Sequence, residues 1–111
     1  MKIITTGDAT SLGEYTGIAR VINDASEVFN FQEGEILVTK NTTPVFNSAM
    51  MKSKAMVTEV GGILSHTSIV AREIGVPAIV NAKNATTLIK TGQIITVQAT
   101  NKGGLILANE D

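Results

Sequence analysis

The sequence contains no cysteine, which removes several kinds of chemistry at once. Without thiols the chain cannot form a disulfide framework, a thiolate zinc site or a cysteine nucleophile. The absence is also compatible with a reducing compartment, so we expect a cytoplasmic protein. Because there is one histidine and no group of carboxylates near it, the sequence predicts no metal site on this chain.

Aromatic residues and clustered charges are also scarce. There is no tryptophan, and one tyrosine with three phenylalanines gives little support for base stacking. Nine basic residues are scattered among ten acidic ones, so no basic stripe exists for a phosphate backbone or an anionic membrane surface. We therefore expect neither nucleic acid nor a membrane as a partner.

Long apolar runs are absent as well. No stretch approaches the ~20 residues that a membrane span needs. No apolar block follows a basic N-terminal stretch, so we expect no signal peptide. What remains is a chain of 111 residues, of which 43% are hydrophobic and 17% are charged. These values predict one globular domain over residues 1–111.

The order of apolar runs and breakers predicts an α/β fold. Residues 1–17, rich in glycine, serine and threonine, predict a loop with short extended pieces. Short β-branched runs predict strands at 18–22, 35–40, 55–58, 78–80, 93–98 and 105–107. Helices are predicted from Pro44 to about Lys52 and over 65–74, with a helical turn over 84–89. Together these elements predict a mixed sheet with helices packed on it.

The most informative stretch surrounds the only histidine, His66. Gly61 and Gly62 permit positive φ and let another molecule approach the backbone. Ser65 is a candidate N-cap, which puts His66 in the first turn of a helix. There the helix dipole favours negative charge and disfavours the imidazolium, so the ring is expected to be neutral and nucleophilic.

The residues after His66 can support an anion in this position. The backbone N–H groups of Thr67 and Ser68 have no partner inside a helix, and we expect them to be free for such an anion. Their hydroxyls can bond a phosphate or serve only as first-turn capping groups. Arg72 can pair with a phosphate or a partner's carboxylate, or remain a solvated charge beside Glu73.

Other interpretations of His66 stay open on spacing alone. The residue shares a helical stripe with three apolar residues, Ile69, Val70 and Ile74, which is also typical of a core histidine. A Ser-His-Asp hydrolase is disfavoured because the nearby serines lie too close to the histidine in sequence. The tilt of Cβ atoms toward the helix N-terminus directs the ring at the glycine loop, and this favours a reactive role.

The stretch GGILSHTSIVAREIGVPAIV resembles the phosphohistidine signature of the PEP-utilising enzymes. These include phosphoenolpyruvate synthase, pyruvate phosphate dikinase, Enzyme I of the sugar phosphotransferase system and rifampin phosphotransferase. The double glycine, the Ser-His pair, the Ala-Arg pair and the Gly-x-Pro end form a specific pattern. Further similarity lies in the glycine-rich start that runs into IARVI, in GEILV with Thr43-Pro44, and in Gly92 before QIITV. The resemblance therefore covers nearly the whole chain.

This resemblance implies a swivelling β/β/α phosphohistidine domain, the mobile domain of these enzymes. Its histidine, here His66, carries a phosphoryl group on the ring nitrogen distal to the backbone and moves it between two active sites. The signature positions Gly62, Ser65, Thr67 and Arg72 would surround that group. The implied partners are nucleotide-binding, ATP-grasp-like domains and PEP- or pyruvate-binding domains. Mg²⁺ is expected at their sites, and no cofactor is expected on this domain.

Two departures from the family pattern qualify these expectations. Position 64 is a leucine, whereas many relatives have a threonine there that a regulatory kinase modifies in some of them. The chain contains no recognisable nucleotide-binding or PEP-binding domain, so we expect part of a phosphotransferase that does not turn over substrate by itself. The alternative is a stand-alone swivelling domain used for binding or regulation, with His66 unphosphorylated.

Overall fold

In the computed structural model, which describes residues 1–109, the chain opens with two long strands. Strand β1 spans Lys2–Ser11 and β2 spans Gly13–Ile22, with only Leu12 between them. The prediction of a loop for residues 1–17 is therefore wrong. Each of the two strands pairs with two different neighbours, and this long-range pairing outweighs the local preference of glycine and serine for turns.

The middle of the chain supplies three short strands, β3 (Ile36–Thr39), β4 (Ala55–Thr58) and β5 (Ala78–Val80). All of their residues are buried, as expected for parallel strands covered on both faces. These strands pair in parallel: β3 pairs with the C-terminal end of β2, β4 pairs with β3, and β5 pairs with β4. The loops that follow β3 and β4 therefore leave the sheet at the same edge.

The last part of the chain forms an antiparallel hairpin of β6 (Ile94–Thr100) and β7 (Gly103–Ala108). Strand β6 also pairs with β2, while β1 pairs with both β7 and β5, and all three pairings are antiparallel. The strand order β1-β5-β4-β3-β2-β6-β7 closes into a barrel. The predicted mixed sheet is present, but its closure into a barrel was not predicted.

Two glycines let the barrel close around Ile79. A Cβ on Gly7 would lie 2.5 Å from the carbonyl oxygen of Val80 and 2.8 Å from Cγ2 of Ile79. A Cβ on Gly104 would lie 2.7 Å from Cγ1 of Ile79. Gly7 and Gly104 face each other across β1 and β7, so the backbone approaches Ile79 there more closely than any side chain would allow.

Three short α-helices join the strands: α1 (Asn47–Lys52), α2 (His66–Ile74) and α3 (Ala85–Leu88). The predicted helix that starts at Pro44 is in fact a 3-10 turn, Pro44–Phe46, which leads into α1. A further 3-10 segment, Ala25–Asn30, was not predicted. None of the helices within residues 1–109 is long and apolar enough to cross a membrane.

Two buried clusters hold these layers together. The first takes buried residues from β2 to β7, including Ile36, Val57 and Ile79, with partly buried residues of β1 packed against it, and it fills the interior of the barrel. The second includes Leu37 and Met56, which alternate with the interior residues along β3 and β4, and it joins the outer face of the sheet to α1 and α2. The helices are therefore fixed on the outside of the parallel strands.

Candidate functional site

Helix α2 has well-defined ends, as the sequence predicts. Ser65 is the N-cap, with extended backbone (φ −70°, ψ 158°), and its Oγ accepts from the backbone N–H of Ser68 at 3.4 Å. Gly75 ends the helix in the left-handed region at φ 77°, where its N–H donates to the carbonyl of Ala71 at 2.9 Å. His66 is therefore the first helical residue, at the positive end of the helix dipole.

The imidazole ring of His66 is half-buried and has a partner at each nitrogen. Nδ1 lies 2.9 Å from Oγ1 of Thr42. Nε2 lies 3.1 Å from Oδ1 of Asn47, the first residue of α1, whose side chain is exposed. The ring is thus anchored on its inner side at Nδ1, and Nε2 lies on the side that faces solvent.

Thr42, which follows β3, connects the ring to the interior. Its hydroxyl contacts the His66 ring and also lies 2.7 Å from Oγ1 of Thr67. Thr42 and Thr67 are almost fully buried, at 4% and 1% exposure. A hydroxyl both donates and accepts, so Thr42 can pair with Nδ1 whether or not that nitrogen carries the proton.

The buried face of α2 differs from the stripe expected for a core histidine. Its buried residues are Thr67, Ser68 and Ala71, whereas Ile69 is 42% exposed. His66 lies at the edge of this face, beside α1, and not in the centre of the core. The geometry therefore favours a ring that another molecule can reach.

Ser68 is turned inward, which corrects part of the expectation for the first turn. Its Oγ lies 2.7 Å from the carbonyl oxygen of Gly62 and 2.7 Å from Oγ1 of Thr10 on β1. Its backbone N–H is capped by Ser65, so it is not free for an anion. The hydroxyl of Thr67 is likewise engaged with Thr42. Both hydroxyls hold the helix and the glycine loop in place.

Arg72 and the two loop glycines shape the approach to His66. The guanidinium donates to the carbonyl oxygens of Thr10 at 3.1 Å and of Ile63 at 2.7 Å, and so ties the loop to β1. Gly61 has a φ of 138°, which a residue with a Cβ rarely adopts. Gly62 faces open space, because a Cβ built there meets no atom within 4 Å. The loop is thus fixed on one side and open on the other.

Glu59, at the start of this loop, holds it against α3. Its Oε2 accepts from the backbone N–H of Thr86 at 2.8 Å and from the Thr86 hydroxyl. The Thr86 hydroxyl and N–H, together with the charge of Lys40, lower the pKa of Glu59, although partial burial opposes the shift. The carboxylate is therefore a structural acceptor that orients the loop.

The surface around His66 is open and partly apolar. The tip of the loop, Ile63 and Leu64, is exposed, as are Val45 and Met51 on the segment opposite. A shallow groove of about 300 Å³ runs between α1 and α2 and is lined by Asn47, Met51, Val70, Glu73 and Ile74.

A larger cleft of about 440 Å³ lies at the β6–β7 turn. Its only titratable lining residue is Lys102, so we do not place the site there. The described residues also contain no group of three His, Asp or Glu side chains placed to hold a metal ion. The chemistry of the described chain therefore centres on the His66 ring.

Two of the residues that contact the ring, Thr42 and Asn47, were missed by the sequence analysis. Both follow β3, whereas His66 follows β4, its parallel neighbour. Loops after adjacent parallel strands meet at one sheet edge, and this topological rule is the signal that could have found them. The residues predicted around His66 do lie on α2 or on the loop before it.

Comparisons with known proteins show what the chain is similar to. The family described as PEP-utilising enzyme, mobile domain, matches residues 31–102. A phosphoenolpyruvate synthase of Aquifex aeolicus is 51% identical over 96 residues, which cover 86% of this chain and 11% of that protein. A Bacillus subtilis protein called uncharacterized phosphotransferase YvkC is 44% identical over 95 residues, with the same coverage of 86% and 11%. The chain thus spans about a tenth of the length of these relatives.

A solved structure is similar in fold to most of this chain. The solution structure of an Enzyme I protein is similar to this chain with a TM-score of 0.62 and 28% sequence identity. The likeness covers 76% of this chain and 34% of that one. In this comparison too, the chain corresponds to one part of a longer protein.

Proposed function

The chain belongs to the family of PEP-utilising enzyme mobile domains, and from this premise we propose that it is a phosphoryl carrier. His66 takes a phosphoryl group at one active site and delivers it at a second, and both sites belong to partner domains or proteins. The observation that carries this proposal is the position of the ring, held through Nδ1 at the start of α2 with Nε2 toward solvent.

The transfer has two steps. In the first, the lone pair of Nε2 attacks phosphorus, an Nε2–P bond forms, and the P–O bond to the leaving group breaks, which is the remaining nucleotide phosphate when ATP is the donor and enolpyruvate when PEP is the donor. In the second, an acceptor oxygen attacks phosphorus and the Nε2–P bond breaks. During both steps the ring proton stays on Nδ1, and the Nδ1–H donates a hydrogen bond to Oγ1 of Thr42.

The surroundings of His66 support the phosphorylated state. A phosphoryl group on Nε2 adds negative charge near the positive end of α2, which stabilises an anion by about 0.3–1 kcal/mol. Ser65, Thr67 and Ser68 fix the helix start, while Gly61 supplies the positive φ of the loop and Gly62 leaves room on the loop side. Arg72 keeps that loop on β1, and its guanidinium remains exposed for a phosphate or a partner's carboxylate.

The remaining parts of the reaction belong to the partners. An ATP-grasp-like domain would supply the nucleotide site, and a second domain would supply the PEP or pyruvate site. Mg²⁺ and arginine side chains at those sites would stabilise the charge that develops during transfer. A tether to such domains gives roughly millimolar effective concentrations, so weak docking suffices. This division of labour also implies that the isolated chain does not turn over substrate.

Phosphorylation in trans is the direct test. We would incubate the chain with the full-length phosphoenolpyruvate synthase of Aquifex aeolicus and radiolabelled ATP or PEP, and then separate the two proteins by size. We expect an acid-labile gain of one phosphoryl group on the wild-type chain and none on His66→Ala. Ser48→Ala, an exposed residue of α1, is the matched control and should be labelled like the wild type.

Three other outcomes of this experiment would argue against the carrier mechanism. Label that persists in His66→Ala would place the phosphoryl group on a different residue and refute the carrier mechanism. Absence of label with several donor enzymes would favour the binding or regulatory module. Phosphate release by the chain alone would indicate a small hydrolase.

A further inference from the structure

The nitrogen that we expect to carry the phosphoryl group already has a hydrogen-bond partner in the free chain. Oδ1 of Asn47 lies 3.1 Å from Nε2 of His66. Asn47 is held in this place by the 3-10 turn before α1, whose last residue, Phe46, is buried in the cluster between the helices and the sheet. The backbone of Asn47 is therefore fixed, while its side chain is exposed and able to rotate.

The contact selects one protonation state of the ring. An amide oxygen only accepts, so its partner at this distance is the N–H form of Nε2. In the neutral ring, Nδ1 then carries the lone pair and accepts from the Thr42 hydroxyl. This arrangement is the reverse of the one that transfer requires, because the lone pair that attacks phosphorus must lie on Nε2.

The same contact also occupies the space that phosphorus needs. A P–N bond is much shorter than the 3.1 Å between Nε2 and Oδ1. An acceptor bonded to Nε2 lies along the direction in which the N–H or the lone pair of that nitrogen points. The phosphorus that Nε2 attacks must approach along the same direction. Asn47 and an incoming phosphoryl group therefore cannot hold these positions together.

We infer that Asn47 is a positioning residue that keeps His66 in a resting state, with Nε2 protonated and shielded, until a donor site displaces the amide. The inference deepens the proposed carrier function and rests on it for its biological meaning. When the amide is displaced, the ring proton moves from Nε2 to Nδ1. Thr42 then accepts a hydrogen bond from Nδ1–H, and its own hydroxyl proton is donated to Oγ1 of Thr67. The buried threonine pair thus serves both states of the ring.

The test can be made without a partner protein. His66 is the only histidine of the chain, so ¹⁵N shifts of its ring report the two tautomers without overlap. In Asn47→Ala we expect the ratio of the Nε2–H to the Nδ1–H tautomer to fall about two- to tenfold, the range for one net hydrogen bond. Asn47→Asp keeps an acceptor and should keep Nε2–H dominant. Asn101→Ala, the same change in the β6–β7 turn, should resemble the wild type.

Reaction with phosphoramidate gives a second readout. Nε2 attacks the phosphorus of this small donor, the P–N bond of the donor breaks, and ammonia leaves. We expect Asn47→Ala to be phosphorylated about two- to tenfold faster than the wild type, and Asn47→Asp more slowly. If Asn47→Ala keeps both the tautomer ratio and the phosphorylation rate of the wild type, the inference is wrong. Because neither readout uses a partner enzyme, failure of transfer in trans would leave this result standing and separate the two proposals.

Discussion

The parallel and antiparallel halves of the barrel use their polar side chains differently. After the parallel strands β3 and β4, the chain of Thr67, Thr42 and His66 leads from the interior to the surface. In the antiparallel half, the hydroxyls of Thr16 and Thr96 contact each other at 2.7 Å across β2 and β6 and stay within the sheet. The comparison teaches that strand direction, more than composition, decides where reactive groups gather.

The connections between strands explain the difference. Parallel strands need crossovers, so the loops after β3 and β4, each followed by a helix, meet at one edge. The hairpin of β6 and β7 needs only a tight turn over 101–102, and the cleft beside that turn is lined by one titratable residue, Lys102. We therefore regard the antiparallel half as the scaffold and the parallel half as the reactive part.

The largest expected effect on stability comes from the scaffold. Gly7→Ala would place a Cβ 2.5 Å from the backbone oxygen of Val80, and the backbone cannot give way as a flexible side chain would. We expect the free energy of unfolding to fall by about 3 kcal/mol, the upper part of the usual cost of overpacking. Urea denaturation measures this loss.

Gly62→Ala is the matched control, because its Cβ would meet no atom within 4 Å. It should change the free energy of unfolding by less than about 0.5 kcal/mol, as surface substitutions usually do. The folded fraction of Gly7→Ala should still be phosphorylated at the wild-type rate. A changed phosphorylation rate in Gly7→Ala would show that the antiparallel half is more than a scaffold.

The second-largest expected effect on stability comes from Thr42, in the reactive half. Thr42→Val removes the hydroxyl that contacts Nδ1 of His66 and leaves the buried hydroxyl of Thr67 without it. We expect a loss of about 1–2 kcal/mol in unfolding free energy. Phosphorylation by phosphoramidate should slow about tenfold, since one hydrogen bond of about 1.4 kcal/mol no longer orients the ring.

Thr43→Val sharpens this result, because Thr43 is the exposed neighbour and its side chain makes no capping hydrogen bond. Rate and stability should both stay near the wild-type values. If the two variants slow phosphorylation equally, the anchoring role of Thr42 is wrong.

The smallest expected effect is a dependence on pH, which comes from two carboxylates beside the parallel strands, Glu35 before β3 and Glu59 after β4. Burial raises the pKa of Glu35, but hydrogen bonds from Arg20 and from the N–H of Gln32, with the charge of Arg20, outweigh burial and lower it. The pKa of Glu59 is lowered too, chiefly by Thr86. Carboxylates with lowered pKa stabilise the fold fully above the ordinary glutamate value of 4.5, and this contribution is lost as pH falls through the shifted pKa.

Thermal unfolding between pH 7 and pH 3 measures this dependence, with acid lowering the melting temperature. Glu35→Gln and Glu59→Gln should each flatten the acid side of the curve, because each removes one carboxylate whose pKa is lowered in the fold. Glu33→Gln, an exposed neighbour of Glu35, should leave the curve unchanged. Curves of equal slope for all three variants would show that neither carboxylate is the source.

The parallel half was also the part that local sequence signals predicted well. Strands β4 and β5 were predicted at their observed bounds, because short buried runs end at clear breakers. Ser65 and Gly75 gave the bounds of α2 for the same reason. Strand β1 was not found and only the end of β2, residues 18–22, was predicted, because these long strands owe their stability to partners far along the chain.

The candidate site was only partly predictable. His66 and the order of elements around it follow from the motif and from helix capping. Asn47 and Thr42 lie 19 and 24 residues before His66 and reach it only because β3 and β4 are parallel neighbours. The inward orientation of Ser68 depends on Thr10 of β1, a strand that the sequence analysis took for a loop.

The position of phosphorus on the ring tests the central claim most directly. A ³¹P–¹⁵N correlation spectrum of the phosphorylated, ¹⁵N-labelled chain identifies the bonded nitrogen, and only one histidine contributes. The account predicts coupling of phosphorus to Nε2, with the proton on Nδ1 beside Thr42. Coupling to Nδ1, or phosphorus bonded to a serine or threonine oxygen, would contradict it.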